Sequence, residues 1–152
     1  MLIEQKHSLE QIMTICFQEL SKGAKMRRHP FRYVSLATVH QHIPSSRWVV
    51  HRQFTEEQRI LIYTDERSDK IKALKANPAA SLLYLHDRHN LQLRFNGSIK
   101  IHYQNELSRK YWPGVKGAGA QDYTSVLPPG KPISSPSVAH EWSDELTDEH
   151  FV

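Results

Sequence analysis

Five apolar segments that follow one another within about 70 residues constrain the fold of this chain most strongly. They are rich in Val, Ile, Leu, Tyr and Phe, several alternate at period 2, and turn-forming residues separate most of them. Because most links are short, the pattern predicts an antiparallel meander or barrel of about six strands, not a parallel sheet. Gly97, inside the last segment, predicts a bulge or a sharp bend. The segments cover residues 31–39, 46–54, 59–65, 80–87 and 91–103.

Helical periodicity precedes and interrupts these strands. Residues 8–22 carry one apolar stripe, and Gly23 is a natural stop behind them. Further helices are predicted over 68–76 and 105–112, each followed by a pair that contains proline. We therefore expect a mainly β fold with flanking helices.

Length and composition predict a single soluble domain. The 152 residues are a usual size for one domain, and 39% of them are hydrophobic while 24% are charged. One cysteine leaves no disulfide framework, and there is neither a membrane-length apolar run nor a signal-peptide pattern. We expect a cytoplasmic protein without a membrane partner. Its single domain over 1–152 would comprise the N-terminal helix (8–22), a barrel core (31–103) and a loop-rich C-terminal segment (113–152).

Charge is distributed unevenly along the chain. All 20 Lys and Arg lie before residue 132, and 11 acidic residues accompany them, so residues 1–139 carry a net charge of +9. The last 13 residues carry −5. A body this basic favours an anionic partner, which could be nucleic acid, a membrane surface or a phosphorylated small molecule. Composition does not choose among them.

Residues 63–70 combine groups that could bind an anion. They lie where a strand ends and a helix begins, and a helix N-terminus offers unpaired N–H groups with a partial positive charge. Thr64 and Ser68 add hydroxyl donors, while Arg67 and Lys70 add cationic ones. Plain capping by Ser68 beside a solvated Lys70 explains the same residues, and the local pattern alone favours that explanation.

Two strands offer further polar candidates. Arg47 opens one strand and Arg52 lies towards its end, and arginine suits bidentate phosphate contact. Arg47 shares a strand face with Val49 and His51, so the three could line one wall of a groove. Gln92 lies on the polar face of a later strand. Solvent-facing side chains that keep a sheet soluble account for these residues as well.

Ten histidines raise the question of a metal site. His40 and His42 would share a strand face but have no local carboxylate partner, and His86 and His89 lie across a loop. We expect no metal. The chain has no Gly-rich phosphate loop and no paired-carboxylate motif, so no catalytic acid or base can be named.

Six segments, taken in order, resemble the pyridoxamine 5′-phosphate oxidase-like FMN-binding split barrels. The resemblance runs from about residue 8 to 112, and it is the ordered set that is specific, since any one segment is weak. The segments are SLATV (35–39), Pro44 with SSRWVV (45–50), LIYTDERSDK (61–70), the helix up to Asn77-Pro78, ASLLY (80–84) and LQLRFNG (91–97).

In that family FMN lies in a groove at a homodimer interface. The resemblance therefore implies an FMN-binding split β-barrel, FMN as cofactor and a homodimer. The matching positions imply that Arg47 and Lys70 bind the phosphate, with Thr64 and Ser68 as hydroxyl donors. They also imply that the backbone of Val49 and Val50 borders the isoalloxazine near Arg52. By the same resemblance, Tyr63 flanks the cofactor and Gln92 hydrogen-bonds the flavin.

The chain also departs from pyridoxamine phosphate oxidases proper. Asp69 stands in place of the Arg of their Arg-Lys pair, WPGVKGAG stands in place of their Arg-x-x-Ser patch, and their C-terminal Arg-x-His has no counterpart. The chain is closer to a sister group of uncharacterised FMN-binding members. Chains of that group continue beyond a Phe-Val like 151–152, so we expect the segment 113–152 to be a shortened version.

The resemblance implies an FMN-dependent oxidoreductase of unknown substrate, in which the flavin supplies the chemistry. One alternative is a non-catalytic or degenerate split barrel that binds haem, another flavin-like ligand or nothing. Another is a small basic barrel for single-stranded nucleic acid, with exposed aromatics such as Trp48. The basic residues form no single stripe, so we expect no nucleic-acid partner.

Overall fold

A computed structural model describes residues 2–115, 118–143 and 147–152 of the chain. Five antiparallel strands form one curled sheet, a half-barrel, in the order β3-β2-β1-β4-β5, with helices around it. The expected mainly β, antiparallel fold with flanking helices is confirmed. The strands are β1 (Tyr33–His40), β2 (Ile43–Phe54), β3 (Ile60–Ile62), β4 (Ala79–His86) and β5 (Leu91–Ser98), and the helices are α1 (Leu9–Lys25), α2 (Asp69–Ala76), α3 (Glu106–Tyr111) and α4 (Ala118–Gln121).

The core lies between the inner face of the sheet and α1. The most deeply buried apolar side chains come from α1, from the turn before β1 and from the central strands. Gly23, expected to stop the first helix, lies inside it. A Cβ there would come within 2.6 Å of the Phe31 Cβ, so the helix needs a glycine to approach the turn before β1. The members of this core are Leu20, Phe31, Val34, Leu36, Val49 and Tyr84.

Two details of the sheet differ from the sequence expectation. In the described residues the sheet has five strands, against about six expected. The last segment is also shorter than expected, since β5 ends at Ser98 and residues 99–103 form no strand. Gly97 was predicted to mark a bulge or a sharp bend, and its pairing with Ala80 in an unbroken register shows that it forms no bulge. The register shift lies on β2 instead, between His51 and Gln53.

The C-terminal segment contains more local structure than a loop-rich prediction implies. It includes the one-turn helix α4 and a 3-10 turn at Pro136–His140. Its last residues run antiparallel to the chain that follows β3: the Thr64 and Val152 backbones exchange two hydrogen bonds of 2.9 Å, and the Glu66 N–H donates to the His150 carbonyl. The end of the chain therefore fixes the stretch that leads into α2.

No helix in the described residues is long and apolar enough to cross a membrane.

Candidate functional site

A groove of about 270 Å³ lies beside β2, where β3 gives way to α2. Three parts of the chain line it: β2, the stretch from 63 to 70, and the C-terminal segment. The structure brings seven of the nine residues predicted from the sequence into this one groove, namely Arg47, Val49, Val50, Arg52, Tyr63, Thr64 and Lys70.

Arg47 and Lys70 face this groove with hydroxyl groups as their partners. The Arg47 guanidinium donates to Thr38 Oγ1 at 2.8 Å and to Ser45 Oγ at 2.7 Å. The Lys70 Nζ donates to Thr64 Oγ1 at 2.8 Å. In the described residues neither cation forms a salt bridge with a carboxylate. The two positive charges are therefore held by neutral groups.

Electrostatics at this pair favour an added negative charge. Burial lowers the pKa of the Arg47 guanidinium, with Asp69 opposing the effect. Burial also lowers the pKa of the Lys70 amine, and the neighbouring charge of Arg47 lowers it further, against the effects of Asp65 and Asp69. Both groups lose hydration without gaining an ion-pair partner, so an anion between them would offset the cost of burying the two positive charges.

Ser68 does not face the groove. Its side chain is buried, and its hydroxyl donates to the Asp65 carbonyl at 2.7 Å instead of capping α2. The contribution of Ser68 is thus to hold the turn before the helix.

Gln92 lies on β5, at the far edge of the sheet from β3. It pairs with Leu85 and is exposed. Within one chain it does not reach the groove. His51, a possible groove residue by its position on β2, is fully buried against the Tyr84 ring.

Arg67, a cationic candidate from the sequence, is engaged elsewhere. Its guanidinium donates to both carboxylate oxygens of Asp65, with a shortest distance of 2.7 Å, and to the carbonyls of Ser125 and Val126. The Asp65 side chain is almost completely buried. This ion pair ties the C-terminal segment to the turn before α2, and it supplies no free charge to the groove.

The third wall of the groove could not be predicted from the sequence. Asp122, Tyr123 and Pro129 line it from the C-terminal segment. The Tyr123 hydroxyl accepts a hydrogen bond from Arg52 Nη2 at 3.0 Å, and the Arg52 guanidinium lies 5.6 Å from the centre of the Tyr63 ring. Burial raises the pKa of Tyr63 to about 12. A Gly-, Pro- and Ser-rich stretch has no periodicity from which such a contact could be predicted.

The outer face of the sheet carries exposed apolar side chains. Tyr33, Trp48, Leu83 and Leu85 are 57%, 67%, 37% and 55% exposed, and the strand register places them on one face. Gln92 lies on the same face, because it is the direct partner of Leu85. A single chain leaves this surface to solvent.

Glu19, His29 and His86 come together away from the groove, with potential ligand atoms within 4.8 Å of one another. The Phe31 N–H donates to His29 Nδ1 at 3.1 Å, so the proton of a neutral His29 ring is on Nε2, which lies 2.9 Å from the Glu19 carboxylate. A metal at Nε2 would require that proton to leave. The group therefore has the bonding pattern of a hydrogen-bonded cluster.

The half-barrel sheet and the cationic groove beside β2 are the features by which this domain can be compared with known proteins. The family model described as pyridoxamine 5′-phosphate oxidase, FMN-binding domain, matches residues 13–103, and the chain belongs to this family. A Caenorhabditis elegans protein named "Putative pyridoxamine 5'-phosphate oxidase" is 27% identical over 135 residues, which are 85% of this chain and 59% of the relative. The chain thus spans less than two thirds of that relative's length.

One solved structure shows the same fold. A pyridoxamine 5′-phosphate oxidase-related, FMN binding protein from Nostoc punctiforme PCC 73102 superposes with a TM-score of 0.61 at 20% identity, over 97% of this chain and 79% of that one. General Stress Protein 26 from Bacillus anthracis str. Sterne is a weaker likeness, with a TM-score of 0.49 at 22% identity over 64% of this chain and 70% of that one.

Proposed function

We propose that this protein binds FMN in the groove beside β2 and acts as an FMN-dependent oxidoreductase. The observation that carries the proposal is the pair formed by Arg47 and Lys70, two partly buried cations with hydroxyl partners and no carboxylate partner among the described residues. A phosphate dianion would give both of them charge-assisted hydrogen bonds. Membership of an FMN-binding family makes the FMN phosphate the natural candidate.

The remaining groove residues fit the rest of the cofactor. Val49 and Val50 offer strand backbone along the groove, while Tyr63 offers an aromatic surface. Arg52 has a buried Nε atom without a hydrogen-bond partner in the described structure, so it can still donate to an added acceptor. Bound FMN would supply hydride transfer, and these residues would orient it and screen it from water. Neither the substrate nor a catalytic acid or base is assigned.

We further propose that the functional unit is a homodimer formed through the outer face of the sheet. The exposed aromatic and aliphatic side chains on that face are the kind of surface that partners cover. Gln92 lies on the same face, so a second copy packed there would bring its own Gln92 towards the groove of the first. The pairing of residues 150–152 with 64–66 supports residues 1–152 acting as one domain.

The test is a flavin titration of the purified protein followed by its visible spectrum. We expect protein that is yellow as purified or that gains bound flavin absorbance with FMN, and that binds FMN at least tenfold more tightly than riboflavin, which lacks the phosphate. Sedimentation should show a dimer at tens of micromolar. Colourless protein that gains no flavin absorbance would favour the degenerate split barrel and contradict the proposal.

A further inference from the structure

A second cavity, of about 130 Å³, lies inside the curl of the sheet. Its walls are β3, the inner faces of β1 and β4, one side of α2, the stretch from 99 to 102, and α3. Branched aliphatic side chains dominate the lining, among them Ile60, Ile62, Ile71, Leu74, Leu82 and Ile99.

The short elements around this space explain why it stays open. β3 has only three residues, and the stretch after β5 forms no strand, so no backbone fills the gap between them. Ile71 and Leu74 lie three residues apart on α2 and are both buried, which fixes one wall. β-Branched side chains are stiff at χ1 and cannot fold inwards to close the space.

Two of the polar groups at the margin of the cavity have hydrogen-bond partners within the protein. The Lys70 amine donates to Thr64 Oγ1, and the His102 ring lies 3.2 Å from the Asn105 amide. None of the described lining residues has a buried polar atom without a partner. The interior therefore offers mainly van der Waals contact, and the amines of Lys70 and Lys100 lie at its border. A cavity of about this volume lined by such side chains can hold one benzene-sized molecule.

We propose that this cavity binds a small uncharged apolar molecule, about the size of one benzene ring or a six-carbon alkyl group. The site is separate from the flavin groove, although Tyr63, Thr64 and Lys70 border both. Leu36 and Leu82 place it on the core side of the sheet. The proposal does not depend on FMN binding.

The probe is fluorobenzene, followed by ¹⁹F NMR with the full chain. We expect a broadened and shifted resonance that returns to its free position when excess benzene is added. Benzoate has the same ring with a charge, and it should neither displace fluorobenzene nor bind the cavity. An unchanged fluorobenzene resonance would overturn the proposal. Displacement by benzoate as effective as by benzene would overturn it too, because the cations of the groove would then be the binding groups.

Leu82→Phe locates the site, because the larger side chain fills the cavity from the inner sheet face. We expect at least a tenfold loss of fluorobenzene affinity, with circular dichroism showing an intact fold. Leu9→Phe is the matched control, since Leu9 is exposed on α1, and its affinity should be unchanged. Equal affinity in both variants would place the molecule elsewhere and overturn the proposal, and the competition experiment on the unaltered chain stands if Leu82→Phe does not fold.

Discussion

Arg67 and Lys70 lie three residues apart, yet they have opposite surroundings. Arg67 meets the buried carboxylate of Asp65 and two backbone carbonyls, while Lys70 meets a hydroxyl and the positive charge of Arg47. The first cation is neutralised inside the molecule and the second is not. The comparison shows that the partners of a positive charge, and not the charge alone, decide whether it is available to an added anion.

The largest effect is expected from breaking the neutralised cluster. Asp65→Ala should lower the free energy of unfolding by about 3 kcal/mol, because it leaves a largely buried guanidinium without its partner and loosens the C-terminal segment. Urea denaturation measures it. The matched control is Asp69→Ala, an exposed acid at the start of α2 whose contact with Lys72 is 3.5 Å long, and it should change stability by less than about 0.5 kcal/mol. Equal effects of the two substitutions would contradict the assigned roles.

Substitutions at Arg47 and Lys70, the pair without a counter-charge, should act in the opposite way. They should change the affinity for FMN strongly and the free energy of unfolding only slightly. Arg47→Ala or Lys70→Ala should weaken FMN about 10- to 100-fold, because each removes a charge-assisted hydrogen bond to the phosphate. The free energy of unfolding without ligand should change by less than about 1 kcal/mol, since no ion pair is broken. Fluorescence quenching by FMN and urea denaturation measure the two quantities.

Riboflavin and two exposed cations are the controls for that experiment. Riboflavin binding should be nearly indifferent to both substitutions, because the clamp acts on the phosphate. Lys72→Ala, two residues beyond Lys70 on α2, and Arg27→Ala, exposed beyond α1, should leave the affinity for FMN unchanged. Parallel losses for FMN and riboflavin would indicate damage to the fold, and an unaltered affinity for FMN would show that Arg47 and Lys70 do not bind its phosphate.

The smallest effect concerns a third cluster, in which the Glu19 carboxylate lies near Lys22, His29 and His86. Burial lowers the pKa of His86, and the nearby His89 and His29 lower it further. The folded protein thus binds a proton at His86 less readily than the unfolded chain, so this histidine reduces stability as the pH falls below about 6.5. Burial alone would raise the pKa of Glu19, but hydrogen bonds from Lys22 and His29 outweigh burial, and the pKa is lowered. The stability that the Glu19 carboxylate contributes is therefore lost only at lower pH, below about pH 4.5.

The measurement is urea denaturation between pH 7.5 and 5 for the unaltered chain and for His86→Gln. The variant should lose less stability over this interval, because glutamine does not titrate. Identical pH dependence of the two proteins would rule out His86 as a source of the acid sensitivity.

The regular part of the site could be predicted from the sequence. The five strands have period-2 or continuous apolar patterns, and seven of the nine predicted residues line one groove because they lie on β2 or beside the end of β3. Local pattern could not separate Arg67 from Lys70. The partners that distinguish them include the carbonyls of Ser125 and Val126, which lie far along the chain and carry no sequence signal.

Other parts required tertiary structure as well. Tyr123 and Pro129 belong to a stretch without periodicity, so no strand or helix face could be assigned to them. Gly23 has the sequence features of a helix stop, but close packing against Phe31 keeps it within α1. The predicted role of Gln92 cannot be fulfilled within one chain, because Gln92 lies on the outer face of the sheet. It could act at the groove only if a second copy packs against that face.

The pairing of Asp65 with Phe151 bears on the order in which the molecule folds. The β1–β2 and β4–β5 hairpins join residues close in sequence and can form early, whereas Asp65 and Phe151 are 86 positions apart and their meeting closes a long loop. Thr64, which holds the Lys70 amine, therefore receives its backbone partners late. A chain with a formed sheet would still lack a finished groove, so a ligand that binds only the finished groove, as we propose for FMN, would favour this last step by mass action.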